Sequence, residues 1–122
     1  MDTDYRVRLG GRVLLVCRFA VPASEGPTFS ARVRRALELL TAAPGCLGGE
    51  AGRAVDEPER WVLTVRFASV DAYRRALGPF PVREHVVPLL SEALADEPAT
   101  YEVLLEAVDG AATQRASLRA EP

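Results

Sequence analysis

The stretch from Pro44 to Phe67 constrains this chain more than any other. Trp61, Leu63, Val65 and Phe67 alternate with Val62, Thr64 and Arg66, the period of two that marks a strand with one apolar face. Pro44-Gly45 stops whatever comes before, and the polar turn Asp56-Glu57-Pro58-Glu59 contains a proline that a continuous strand does not admit. Residues 46–55 and 61–67 therefore read as the central hairpin of one small sheet. Gly48, Gly49 and Gly52 soften the first of these strands and mark a bulge or a close approach to its backbone.

The flanking segments fit around that hairpin. Between Arg12 and Val21, Val13, Leu15, Cys17 and Phe19 share one face, with Leu14, Val16, Arg18 and Ala20 on the other. Both faces are mostly apolar, so each needs a cover. After the breaker-rich Pro22 to Pro27, with Ser24 as expected cap, Phe29, Val33, Ala36, Leu37 and Leu40 recur at helical spacing, and a helix is predicted over 28–43. Its charged residues Arg32, Arg34, Arg35 and Glu38 are assigned to solvent. Ser69 caps a second predicted helix through Leu77, with Asp71 at the positive end of its dipole. A third runs over 81–94, kinked or divided by Pro88. The last strand is expected over 99–108, with Tyr101, Val103, Leu105 and Ala107 on the helix side.

The order strand, helix, strand, strand, helical pair, strand defines an α+β fold, a ferredoxin-like split βαβ sheet with helices on one face. Residues 1–11 read as a flexible leader, 12–108 as the domain and 109–122 as a mobile C-terminal tail. The opposite sheet face carries Leu14, Val16, Val62 and Leu104, too many aliphatics to leave wet, and a second copy of the chain is expected to cover it.

Composition closes off several functions. The 122 residues suffice for one core. Fifteen arginines against 17 acidic residues give a formal net charge of -2, and the arginines are scattered rather than gathered into the basic face that nucleic acid requires. Cys17 and Cys46 have neither CxxC spacing nor histidine partners for zinc, and read as reduced thiols of a cytoplasmic protein. The longest apolar run, Val13 to Cys17, is far short of a membrane span. No metal, nucleic acid or membrane partner is expected.

With this order in place, Pro44-Gly45-Cys46-Leu47-Gly48-Gly49, Asp56 to Leu63, Val70-Asp71-Ala72-Tyr73-Arg74-Arg75-Ala76-Leu77, Val87-Pro88-Leu89-Leu90 and Glu97 to Glu102 resemble the antibiotic biosynthesis monooxygenase family, in particular its actinobacterial members. The resemblance covers residues 12 to 108. It implies a dimeric α+β barrel with a pocket in each subunit between sheet and helices, where relatives oxidise aromatic or polyketide-like compounds with molecular oxygen and no cofactor. Haem-degrading members carry an asparagine, a tryptophan and a histidine. Only the histidine has a counterpart here, His85, since the other two positions fall near Cys17 and Arg75.

His85 is the sole histidine and the one group that titrates near neutrality unperturbed, so it is the candidate for moving a proton, against the alternative that it packs on a helix edge. Trp61 either stacks on a planar substrate or is simply core. Tyr73 completes the candidate catalytic set of His85, Tyr73 and Trp61. The expected substrate pocket adds Phe67, Tyr101 and Cys17 to these three and lies between the sheet and residues 70–94. Two functions compete: a cofactor-independent monooxygenase acting on an aromatic or polyketide-like small molecule, and a non-catalytic dimeric binding or accessory module. A cyclase-like or haem-binding relative ranks behind both.

Overall fold

A computed structural model describes residues 11–117. Strand β1 (Val13–Ala20) leads through a 3-10 turn at Ala23–Glu25 into helix α1 (Gly26–Thr41). The hairpin β2 (Cys46–Arg53) and β3 (Arg60–Phe67) follows. Then come α2 (Val70–Ala76), α3 (Phe80–His85) and α4 (Val87–Leu90). Strand β4 (Thr100–Glu102) ends the sheet, and β5 (Leu105–Val108) pairs with β6 (Ala111–Gln114) in a separate hairpin.

The four-stranded sheet has the order β2-β3-β1-β4 with antiparallel neighbours throughout, and the helices pack on one face, so the fold is α+β of the ferredoxin-like kind. Pairing of Val13 with Phe67, Leu15 with Val65, Cys17 with Leu63 and Phe19 with Trp61 puts the large apolar side chains of β1 and β3 on a single face. There they meet Phe29, Val33, Ala36 and Leu40 of α1, Ala72 and Ala76 of α2, Val82 of α3, and Val86 and Leu89. Full burial of each Leu, Val or Phe in this layer contributes about 1.5–3 kcal/mol. On the opposite face Leu14, Val16 and Val62 are only half-buried.

Local chemistry sets the helix ends. Ser69 Oγ accepts a hydrogen bond from Ala72 N at 3.0 Å, the expected cap of α2. Pro88 divides the third helical segment, as its missing N–H requires: α3 stops at His85 and α4 starts at Val87. Gly45 adopts φ +86° in the turn before β2, where an added Cβ would lie 2.6 Å from Ala72 Cβ. The Pro-Gly pair thus ends α1 and also lets α2 sit directly on the turn.

Four expectations need correction. Helix α1 spans Gly26–Thr41 rather than 28–43, because Pro27 is tolerated in a first turn. Ser24 does not cap it; Ser24 lies inside the 3-10 turn, and Glu25 takes the cap position without a side-chain bond. The last strand is broken, with Val103 and Leu104 separating β4 from β5, and Tyr101 pairs with Leu14 rather than with a core-facing residue. Tyr101 therefore lies on the face away from the helices, 40% exposed, since a register shift of one residue transfers every side chain of a strand to the other face. Finally, the stretch assigned to a tail from 109 contains β6, held to β5 by ladder pairing and to the sheet by Arg115. The expected leader, apart from Gly11, and residues 118–122 of the expected tail lie outside the described residues.

Arg115 is 7% exposed and donates to Glu106, which also accepts from Arg12 Nη1 at 2.9 Å. The same hairpin is tied down by Arg115 N donating to Leu104 O and Val103 N donating to Arg12 O. Burial alone would raise the Glu106 carboxyl, but the bonds and charges of Arg115 and Arg12 outweigh it and hold the group below its ordinary value.

Candidate functional site

The glycine-softened strand β2 forms one edge of the sheet, and there α1 cannot close fully onto it. Gly49 is the point of closest approach. An added Cβ at this position would lie 2.8 Å from Thr64 O and 3.1 Å from Leu37 Cδ2, so only glycine lets α1 and β3 come this near the strand. Beside that contact opens a cavity of about 370 Å³, lined by Val33, Arg34, Leu37 and Glu38 of α1, Gly49 and Ala51 of β2, and Trp61 of β3, with Ser30 and Thr41 at its ends.

Trp61 forms its aromatic wall. The indole packs edge-on against Phe29, with centroids 5.2 Å apart, and Phe29 packs in turn against Phe19 at 5.0 Å. On its other side the Arg53 guanidinium stands 5.6 Å from the ring centroid. The indole is thus held in place by a buried aromatic chain while remaining only half-buried itself. At the mouth Arg34 Nε lies 3.4 Å from Glu38 Oε2, and Arg35 reaches the other Glu38 oxygen at 3.8 Å. The arrangement offers an apolar slot with one stacking surface and a charged rim, suited to a flat molecule with a polar edge.

Of the six residues expected to line a pocket, Trp61 alone borders this one. Cys17 and Phe67 are core, 3% and 0% exposed. Burial pushes the Cys17 thiol up, which keeps it protonated and unreactive. Tyr73 of α2 packs on Phe67 with centroids 5.4 Å apart. Tyr101 is on the far face of the sheet. His85 ends α3 with its side chain 47% exposed, Nε2 lying 3.5 Å from Glu84 Oε1, and it is not among the residues that line this cavity. The cavity lies under α1 rather than under 70–94, because α2 and α3 place Ala72, Ala76 and Val82 in the buried core against the sheet. Sequence reasoning missed Arg34 and Glu38, which a helical wheel assigns to solvent, although it placed Leu37 on the buried stripe; the signal that could have found them was Gly49 of β2 facing that helix.

Both cysteines are free. Among the described residues no group of three or more His, Cys, Asp and Glu side chains gathers to hold a metal ion, and no helix is long and apolar enough to cross a membrane.

A one-sided α+β sheet with a small cavity between its first helix and its edge strand defines the class of fold. Within that class the family is specific: the model for antibiotic biosynthesis monooxygenase matches residues 12–79, more than half of the 122, and the chain belongs to this family. Among solved structures it is similar to SnoaB, a cofactor-independent oxygenase from Streptomyces nogalater, with 22% identity, a TM-score of 0.60, and 75% of this chain and 88% of that one covered. A conserved protein from Methanosarcina mazei gives 16% identity, a TM-score of 0.63, and coverage of 80% and 96%. A Bordetella bronchiseptica protein provisionally named an antibiotic biosynthesis monooxygenase gives 24% identity, a TM-score of 0.57, and coverage of 76% and 95%. These likenesses establish the fold. No curated protein matches the chain.

Proposed function

We propose that the protein is a cofactor-independent monooxygenase that oxidises an aromatic or polyketide-like small molecule with molecular oxygen in the cavity beside Trp61. The observation that carries this reading is the indole, fixed by Phe29 and presented to a slot of about 370 Å³ in a chain of the monooxygenase family. That SnoaB is a cofactor-independent oxygenase supports it. The substrate supplies the electrons. A methylene flanked by carbonyl-conjugated rings loses a proton, the carbanion passes an electron to oxygen, and the radical pair combines to a hydroperoxide. Loss of water leaves a ketone, so that one CH2 and one O2 give one C=O and one H2O. Stacking on Trp61 holds the ring system, and Arg34 at the mouth favours the anionic form of its oxygen substituents.

The working unit is a homodimer in the cytoplasm. Leu14, Val16 and Val62 on the open sheet face support this, since an apolar surface there is stabilised by a second copy. Val16→Asp combined with Val62→Asp should then give a monomer in light scattering, because unpaired carboxylates in an apolar interface are costly to bury. A stable monomer of the unmodified protein at micromolar concentration would remove the dimer.

A second reading, a non-catalytic binding module, is favoured by the place of His85 outside the cavity. The test uses Trp61, the chain's sole tryptophan, whose fluorescence reports on the slot directly. Anaerobic titration with an anthrone should quench it saturably, and admission of oxygen should convert the bound anthrone to the quinone. Quenching without conversion supports the binding module; an absence of quenching overturns both readings.

A further inference from the structure

A second cavity lies on the outer side of the helical layer, away from Trp61. It measures about 320 Å³ and is bounded by Leu39 of α1, Ala42, Ala43 and Pro44 of the turn to β2, Arg75 and Ala76 of α2, and Pro79, Pro81 and Val82 around the start of α3. Eight of these nine residues are apolar, and none is aromatic. Arg75 is the exception. Its guanidinium makes no ion pair or hydrogen bond among the described residues, as holds also for Arg74 and Arg83, whereas Arg12, Arg18, Arg32, Arg34, Arg35 and Arg60 each face a carboxylate; of these unpaired arginines Arg75 alone borders this cavity. A free planar fork at the edge of an aliphatic hollow matches one ligand chemistry, an unbranched apolar body ending in a carboxylate.

The geometry points to a binding site for a medium-chain alkyl carboxylate in this second cavity, with the chain between α1 and α3 and the carboxylate on Arg75. Three prolines, Pro44, Pro79 and Pro81, stand in the walls, and their fixed backbone makes the hollow preformed, so little ordering opposes binding. Ala42, Ala43 and Ala76 line the space with methyl groups only, which leaves room for a chain rather than filling it. The aliphatic walls select an alkyl body over an aromatic one, in contrast to the indole-walled slot under α1. The two cavities share no lining residue, and this site stands whether or not the first is catalytic.

Octanoate and octan-1-ol, the same body with and without the charge, serve as probes of the full chain by calorimetry and by amide chemical-shift mapping. Octanoate should bind saturably, shift the amides of Ala42, Ala43 and Ala76, and bind at least tenfold more tightly than the alcohol, about 1.4 kcal/mol. Arg75→Gln should reduce octanoate binding to the level of the alcohol and leave the alcohol unchanged. Ala42→Phe, a substitution at an exposed lining position, should weaken both, and Ala51→Phe in the other cavity should weaken neither. Octanoate binding that survives both Arg75→Gln and Ala42→Phe, shifts that map to Trp61 instead, or no saturable binding at all would overturn the assignment.

Discussion

Replacing Gly45 by alanine should be among the most damaging single-methyl additions to this protein, for two reasons that can be separated. Gly45 sits at φ +86°, where an L side chain costs about 1–2 kcal/mol. The new methyl would also meet Ala72 Cβ at 2.6 Å, and the two must part to at least 3.4 Å for an ordinary contact. Neither group can swing away, since both are Cβ atoms fixed to backbone, so the turn or α2 has to move, an overpacking cost of about 1–3 kcal/mol. Loss of glycine's freedom in the unfolded chain returns about 0.4–1 kcal/mol. The net expectation is a destabilisation of about 2–3 kcal/mol, read as a fall in Tm of roughly 8–15 °C in thermal unfolding followed by circular dichroism. Combining Gly45→Ala with Ala72→Gly should recover the steric part, giving a coupling energy of about 1 kcal/mol or more in a double-mutant cycle. Gly26→Ala is the control: nothing stands within 4 Å of its added Cβ and its φ is -54°, so stability should stay level or rise. An unchanged Tm for Gly45→Ala, or strictly additive effects with Ala72→Gly, would refute this account of the turn.

Three further outcomes follow from the structure. Glu106, held below its ordinary value in the folded state, contributes stability that is complete above the usual carboxylate range and is lost as pH falls through its lowered folded value. The protection of the β5–β6 amides, measured as exchange relative to the intrinsic rate of the unfolded chain at each pH, should therefore fall on acidification in the unmodified protein and lose that acid dependence in Glu106→Gln. Cys46, half-buried, should react with a thiol reagent well before the buried Cys17, and both should titrate after unfolding; native protein with no free thiol would contradict the pairing order that places β3 between their strands. The bidentate pair of Arg32 with Glu92, at 2.9 and 2.8 Å, joins α1 to the segment after α4 but is partly exposed, so Arg32→Ala should lower stability by no more than about 1 kcal/mol in denaturant titration.

The sheet was legible because its signal is redundant. Alternation in β1 and β3, the Pro-Gly stop and the proline turn each demand the same hairpin, and strand order follows once the helices are placed on one face. Helix α2 was legible down to the Ser69 cap. The edge of the sheet was not. Strand β4 has three residues, too few for alternation to fix a register, and its real register is set by pairing with Val13, Leu14 and Leu15, contacts distant in sequence. Tyr101 was misplaced for that reason alone. The hairpin β5–β6 was missed because Ala111–Gln114 has no apolar stripe; all four residues are exposed, and backbone pairing and Arg115 hold them. At the candidate site, Trp61 and the glycines of β2 were visible as types, but their common partner was not. A cavity is a mismatch between two surfaces: Val33 and Leu37 of α1 lie on the apolar stripe, while Arg34 and Glu38 beside them read as solvent-facing on a helical wheel.

The most direct test of the proposed function is oxygen uptake, measured with an electrode, as purified protein meets an anthrone without added metal or flavin. Unmodified protein should consume one O2 per anthrone oxidised, and Ala51→Phe, which fills the slot from an exposed lining position, should abolish turnover while leaving Tm unchanged. Turnover that persists in Ala51→Phe would place the chemistry elsewhere, and an unmodified protein that binds the anthrone against Trp61 yet consumes no oxygen would contradict the monooxygenase assignment.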